Sequence, residues 1–145
     1  MSTRWTLRFD SAQPAKLARF WAETLGYVES PPPDGFDSWE MWLTDQGVPE
    51  EEWDDGAALA DPDGVGPSLS FLRVPEPKTA KNRVHLDVQI GGGRSTPWEQ
   101  RWPRVVAEKE RLVALGATVV GEYEQNGRPD HFVMTDPEGN EFCLL

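Results

Sequence analysis

Two ionisable side chains, His85 and Asp87, lie in a segment whose residues alternate between apolar and polar. The apolar members are Val84, Leu86, Val88 and Ile90, and this period-2 pattern is typical of a strand that is buried on one face. His85 and Asp87 therefore share the other face, where an imidazole beside a carboxylate suits a general base or a charged anchor for a cationic ligand. The alternative is a hydrogen-bonded structural histidine. His131 lies at the start of a second predicted strand, and we interpret it by default as a structural residue.

The single cysteine, Cys143, lies in a C-terminal strand where Glu141 shares its face, while Phe142 and Leu144 point to the core. A thiol attacks as the thiolate, so a nucleophilic Cys143 would need a base, and His85 is the candidate. The alternative is an inert small side chain that fills space. One cysteine allows no intrachain disulfide, and the N-terminus lacks an apolar signal segment, so the sequence predicts a cytoplasmic protein.

The chain is strongly acidic, with 14 Lys and Arg against 25 Asp and Glu and a net charge of −11. Nucleic acids and anionic membrane surfaces are bound by Lys and Arg, so neither is an expected partner. No apolar stretch reaches the roughly 18–20 residues of a membrane-spanning helix. The charge either keeps the protein soluble or attracts a cationic ligand. Seven tryptophans would give such a cation flat aromatic surfaces.

The elements that position these side chains occur twice. Arg4–Asp10 alternates as a strand with Trp5, Leu7 and Phe9 on its core face, and a helix follows from Pro14 to Gly26. The segment around His85 is followed by a helix from about Pro97 to Gly116, with Val105, Leu112 and Leu115 on its inner side. Each half then has an Asp-Pro-acid-Gly turn, at 61–64 and at 136–139, that leads into a strand, Ser68–Arg73 or Glu141–Leu145.

The first half carries about 15 extra residues within Pro31–Gly56. Eight acidic residues and no Lys or Arg lie between Asp45 and Asp63, which indicates a solvated acidic loop. The alternative is a flap over a binding site, because Trp39 and Trp42, in a predicted strand, and Trp53 are nearby. Residues 75–82 form a Pro- and Lys-bearing linker between module one (about 1–74) and module two (about 83–145).

Each module thus reads as strand, helix and three strands, which predicts a single α+β domain, residues 1–145. Two tandem βαβββ modules would form a cupped mixed sheet with the helices on the outside. The bare sheet faces would line a cavity for a small molecule.

This order of elements, with VPEPKTAKNRVHLDV and the C-terminal DPEGNEFCLL, resembles the glyoxalase/bleomycin resistance/dioxygenase superfamily, also called vicinal oxygen chelate (VOC). The same two stretches look like its actinobacterial glyoxalase-like domain branch. The resemblance covers nearly the whole chain and implies one divalent metal, held by His, Gln or Glu on the first and last strands of each module. Members often self-associate, so it also implies a homodimer as an alternative assembly.

The positions that match these metal-ligand slots are Thr6, Ser68 or Ser70, His85 and Cys143. Hydroxyl groups are poor replacements for carboxylate or imidazole, and His85 with Cys143 alone would make a weak site. We therefore expect no cofactor and no metal, with Zn, Ni, Fe or Mn as the alternative. The expected cavity lining is Thr6, Arg8, Trp39, Trp42, Ser68, Ser70, His85, Asp87, Glu141 and Cys143.

The sequence thus favours a metal-independent protein that binds, and sequesters, a cationic or aromatic small molecule, as the bleomycin-resistance branch does. The alternative is a metal-dependent lyase, isomerase or dioxygenase, or a metal-free catalyst built on His85. No dinucleotide or P-loop fingerprint is present, because Gly91-Gly92-Gly93 lacks the required spacing.

Overall fold

A computed structural model describes all residues, 1–145, and the chain folds into two compact units, Met1–Pro77 and Lys78–Leu145. Unit 1 contains β1 (Leu7–Ser11), α1 (Pro14–Leu25), β2 (Val28–Glu29), α2 (Trp39–Asp45), a 3-10 helix (Glu50–Asp55), β3 (Gly56–Ala60) and β4 (Leu69–Arg73). Unit 2 contains β5 (Asp87–Val88), α3 (Trp98–Ala114), β6 (Thr118–Gln125), β7 (Arg128–Thr135) and β8 (Glu141–Leu144). None of the helices has the length and apolar character needed to cross a membrane.

The two units have the same sheet topology. The strand order is β1-β4-β3-β2 in unit 1 and β5-β8-β7-β6 in unit 2. In each, the first strand runs parallel to the last, and the remaining neighbours are antiparallel. The predicted βαβββ order, mixed sheets and α+β class are therefore confirmed.

Helix α1 forms where the sequence predicts it. Pro14 is accepted in its first turn because that position needs no backbone donor. Gly26 ends the helix in the left-handed conformation, at φ 69°, which glycine adopts without a steric cost. The buried stripe of Leu17, Phe20 and Trp21 packs on the sheet beside Phe71 and Leu59.

The core of unit 2 lies between α3 and its sheet. Val105 and Leu112 of α3 are fully buried, as are Met134, Phe142 and Leu144 of the sheet. The alternation predicted for the C-terminal strand is confirmed, since Phe142 and Leu144 are buried and Glu141 and Cys143 are half-buried. Leu115, predicted on the inner side of α3, is 40% exposed because the helix ends at Ala114 and Leu115 is its cap.

Three strand predictions were too long or wrong. Trp5 is 65% exposed because pairing with β4 begins only at Leu7. The segment 84–90 pairs with β8 at two positions only, and Val84 is 71% exposed. Trp39 and Trp42 lie on helix α2 and not on a strand, since the Ser38 side chain caps that helix by accepting from the backbone N–H of Met41 at 3.1 Å.

The acidic segment is ordered as α2 and the 3-10 helix, not as an irregular loop. Neither element has a fully buried residue. Both are therefore additions on the surface of unit 1 and are not needed to fill its core. The corresponding connection of unit 2, between β6 and β7, is the two-residue turn Asn126-Gly127.

Candidate functional site

A cavity of about 680 Å³ lies within unit 1, beside β3 and β4 and below the added helices. This volume is in the range typical of sites for small organic molecules. Its lining combines α1, β1, β2, β3 and β4 with α2 and the 3-10 helix, and its polar and aromatic members are Arg8, Arg19, Glu29, Trp39, Glu40, Trp42, Glu52, Trp53, Asp54, Ser70 and Phe71.

The three tryptophans of the lining come from the segment between β2 and β3. Trp39 and Trp42 are three residues apart on α2, so they share a helix face, and their rings meet edge to face at 5.7 Å. The indole N–H of Trp39 donates to the Ser30 carbonyl at 2.7 Å, and that of Trp53 donates to the Val48 carbonyl at 3.0 Å. The first bond ties α2 to the end of the β2 segment, and the second ties the 3-10 helix to the connection that follows α2. Trp39 and Trp53, whose donors are used, then offer the cavity ring surfaces and not N–H groups.

The charged part of the lining is predominantly negative. Four carboxylates, Glu29, Glu40, Glu52 and Asp54, face two guanidinium groups, those of Arg8 and Arg19. Two positive and four negative side chains give the cavity lining a net charge of −2. Arg8 is further engaged by its own sheet, because its Nε donates to the Ser70 hydroxyl at 3.2 Å.

Four of the residues expected from the sequence, Arg8, Trp39, Trp42 and Ser70, line this one cavity. Thr6 and Ser68 are exposed and lie outside its lining. Arg8 is opposite Ser70 in the β1–β4 ladder, as Asp87 is opposite Cys143 in the β5–β8 ladder. By this register Ser70, and not Ser68, corresponds to Cys143.

Unit 2 holds the other expected residues, two of which bind the linker. The Nε2 atom of His85 is 2.7 Å from the Asn82 carbonyl oxygen. Glu141 accepts from the backbone N–H of Asn82 at 2.9 Å and from Lys78 at 3.3 Å. The bond from Asn82 and the charge of Lys78 lower the pKa of Glu141, despite its partial burial. These contacts secure the start of unit 2 against β8.

Cys143 and Asp87 interact with each other. Partial burial, followed by the negative charge and hydrogen bond of Asp87, raises the pKa of the Cys143 thiol. The thiol is therefore the stable form at neutral pH, which does not suit a nucleophile or a thiolate ligand. Asp87, expected to orient His85, is directed to the cysteine.

The positions that the family resemblance predicts as metal-ligand slots hold few strong donors. The side chains there are the hydroxyls of Thr6 and Ser70, the His85 imidazole and the protonated Cys143 thiol. The structure has no group of three or more His, Cys, Asp or Glu side chains that could hold a metal ion. Catalytic zinc sites, by comparison, use about three strong protein donors and an open position. The residues present do not fit that requirement, and no chemical step is assigned to a metal.

Sequence reasoning missed a cluster around Asp130 in unit 2. Arg94 and Arg101 both bind its carboxylate, at 2.7 and 2.9 Å, and His131 contacts it at 2.9 Å. These partners are 36, 29 and 1 residues away in the chain. No local sequence pattern connects Arg94 and Arg101 to Asp130. The adjacent pair Asp130-His131 was a signal that the sequence did contain.

The profile of the Glyoxalase-like domain family matches residues 6–145 of the chain. Among solved structures, a glyoxalase/bleomycin resistance protein/dioxygenase family enzyme from Burkholderia phytofirmans PsJN aligns with a TM-score of 0.59 at 14% identity, covering 97% of this chain and 96% of that one. A possible glyoxalase from Bacillus cereus aligns with a TM-score of 0.59 at 16% identity, covering 100% and 99%.

A mutant fosfomycin resistance protein from Listeria monocytogenes, complexed with Mn(II) and 1S,2S-dihydroxypropylphosphonic acid, aligns with a TM-score of 0.58 at 13% identity and covers 99% of this chain and 89% of that one. No curated protein sequence matches the chain. At these identities the structural neighbours establish the fold and no more. The actinobacterial branch stays a prediction. The family profile covers nearly all of the sequence, and the chain therefore belongs to the Glyoxalase-like domain family of the VOC superfamily.

Proposed function

We propose that the protein binds a cationic aromatic small molecule in the cavity of unit 1 and that it does so without a metal ion. The observation that carries this proposal is the joint lining of the cavity by three tryptophans and four carboxylates. A flat cation gains from stacking on the rings and from the surrounding negative charge, because the π face of an indole attracts positive charge.

The added segment favours a dedicated binding role for this cavity. Helix α2 and the 3-10 helix bury no residue in the core, yet they supply Trp39, Trp42 and Trp53 to the lining. Trp39 and Trp53 are held by indole hydrogen bonds, so these two rings are preorganised and their ordering costs little on binding. The consequence for the ligand is sequestration, consistent with the resistance function of one branch of the superfamily.

The test compares N-methylacridinium with neutral acridine at pH 8, where the two rings have nearly the same shape. Both are titrated into the protein while tryptophan fluorescence is recorded. We expect the cation to bind at least about tenfold more tightly, because a desolvated cation–π contact is worth roughly 1–2 kcal/mol. Equal affinities would refute the cationic preference, and quenching by neither compound would refute this use of the cavity.

Three variants test whether the binding takes place in this cavity. Trp42→Leu and Glu52→Gln should each weaken the binding of N-methylacridinium, since they remove a ring and a carboxylate from the lining. Trp102→Leu, on α3 of unit 2, is the matched control and should leave the affinity unchanged. Equal losses in the Trp42 and Trp102 variants would place the binding elsewhere.

The second candidate is a metal-dependent lyase, isomerase or dioxygenase. The observation in its favour is the fold shared with the Listeria monocytogenes protein that is complexed with Mn(II). Against it stand the hydroxyl and thiol groups at the corresponding positions. Metal analysis of protein purified without a histidine tag separates the two, since one equivalent of bound metal that is lost in His85→Ala would favour this candidate.

A further inference from the structure

The Asp130 carboxylate is held in one orientation by both of its oxygens. Its Oδ1 accepts from Arg101 Nη2 at 2.9 Å and from Arg94 Nε at 3.3 Å. Its Oδ2 accepts from Arg94 Nη2 at 2.7 Å. The side chains of Asp130 and Arg101 are 4% and 6% exposed, so the bond between these two residues is shielded from water.

These contacts fix the proton on His131. Hydrogen bonds from Arg94 and, more weakly, from His131 and Arg101 hold the pKa of Asp130 well below its usual range, and they outweigh the opposing effect of burial. An ionised carboxylate can only accept a hydrogen bond, and Nδ1 of His131 is 2.9 Å from Oδ2. The proton must therefore be on Nδ1, which leaves the lone pair of the neutral ring on Nε2.

His85 has the opposite arrangement. Its Nε2 is 2.7 Å from the Asn82 carbonyl oxygen, which also can only accept. In the neutral His85 ring the proton is on Nε2, and that nitrogen is occupied by the chain itself. The two histidines of the protein thus differ in tautomer, and only His131 has a carboxylate behind its ring.

Part of the His131 ring is accessible. One face of the ring is stacked on Tyr123 of the neighbouring strand, with centroids 5.4 Å apart and an angle of 12°, and a quarter of the His131 side chain is exposed. Arg94 binds the same Asp130 oxygen as His131, so its charge is already paired on the Nδ1 side of the ring. The lone pair on Nε2 is therefore the group that His131 can offer to a ligand.

We propose that His131 is a proton-accepting site in unit 2, with Asp130 as its positioning residue, for a small aromatic compound with an acidic O–H group such as a phenol. The proton of the hydroxyl passes to Nε2, which produces an imidazolium whose Nδ1–H still donates to Asp130. The O–H electron pair stays on the oxygen, and the imidazolium formed at His131 pairs with the resulting anion. This site is independent of the cavity of unit 1.

The first measurement uses the wild-type protein, so it does not depend on the folding of a variant. Long-range ¹H–¹⁵N correlation spectra of histidine-labelled protein at pH 8 report which ring nitrogen carries the proton. We expect Nδ1–H for His131 and Nε2–H for His85. Protonation of His131 at Nε2 would overturn the proposal.

The second measurement uses 4-nitrophenol, which ionises near neutral pH and absorbs visible light as the phenolate. Addition of the protein at pH 6.5 should raise the phenolate absorbance, and His131→Gln should lose most of that rise. Glu122→Gln, an exposed position on β6, is the control and should retain it. No rise with the wild-type protein, or an equal rise with His131→Gln, would contradict the proposal.

Discussion

At the scale of single residues, Cys143 shows how the surroundings decide the chemistry of a side chain. The thiol lies on the strand that carries a metal ligand in related enzymes, but burial and Asp87 keep it protonated. A raised pKa lowers the thiolate fraction at neutral pH, and the thiolate is the reactive form. Cys143 therefore behaves as a space-filling residue in spite of its position.

Alkylation of Cys143 tests this assignment. We expect iodoacetamide to react with the folded protein more slowly at pH 8 than with the unfolded chain, and the rate to rise as the pH increases through the raised pKa. Asp87→Asn should speed the reaction, because loss of the negative charge lowers the thiol pKa. Mass spectrometry over time gives the rates, and a variant slower than the wild type would reverse the assigned role of Asp87.

Arg101 is the residue whose loss should most affect the stability of unit 2. It binds both the side chain and the backbone carbonyl of Asp130, at 2.9 Å each, from a buried position on α3. Removing one partner of a buried ion pair costs about 3–5 kcal/mol, and Arg94 and His131 remain to compensate part of the charge. We expect Arg101→Met to lower the free energy of unfolding in urea by about 3 kcal/mol.

Arg104→Met is the matched control, three residues further along the same helix. Its guanidinium is exposed and makes a 3.4 Å hydrogen bond to the Gly91 carbonyl oxygen, which is worth at most about 1 kcal/mol. Similar losses of unfolding free energy in Arg101→Met and Arg104→Met would show that the bonds to Asp130 are not what makes Arg101 important for stability.

At the scale of elements, the repeat of strand, helix and three strands was the most predictable feature. The glycines that follow α1 and α3 and the two Asp-Pro-acid-Gly turns have direct physical roles, because they end helices and form tight turns. The turns form as predicted, with N–H to carbonyl distances of 3.0 Å from Gly64 to Asp61 and 2.9 Å from Gly139 to Asp136. Helix ends and tight turns depend on a few neighbouring residues, so they can be predicted from the sequence.

Other features were predicted less well. Trp39 and Trp42 favour strands as residue types, and this propensity was followed although Ser38, a local N-cap signal, begins helix α2 there. The segment 84–90 alternates over its whole length but pairs at two positions only. The cavity was expected from Arg8, Ser70 and tryptophans, whereas Arg19 and Glu29 become part of its lining only once α1 and β2 are in place.

Replacement of residues 32–54 by a four-residue Gly-Ser linker tests the separation of core and cavity. Because α2 and the 3-10 helix have no fully buried residue, we expect the shortened protein to lose only the helical circular dichroism of that segment and to keep one cooperative thermal transition. Its affinity for N-methylacridinium should fall at least about tenfold, as three rings are lost. A collapse of the transition would show that the segment is part of the core.

At the scale of the whole molecule, the two units share one topology but differ in what they present. Unit 1 has an aromatic, acidic cavity formed with an added segment. Unit 2 has a short β6–β7 turn and a cluster of Arg94, Arg101, Asp130 and His131. The two βαβββ units of the chain therefore carry different chemistry on the same topology.

Calorimetric titration of N-methylacridinium into protein stripped with EDTA and then into the same protein supplied with Zn, Ni, Fe or Mn tests metal-independent binding most directly. The proposal predicts saturable binding with one dissociation constant in all samples, because the tryptophans and carboxylates of unit 1 suffice. Binding that appears only after one of these metals is added would contradict it.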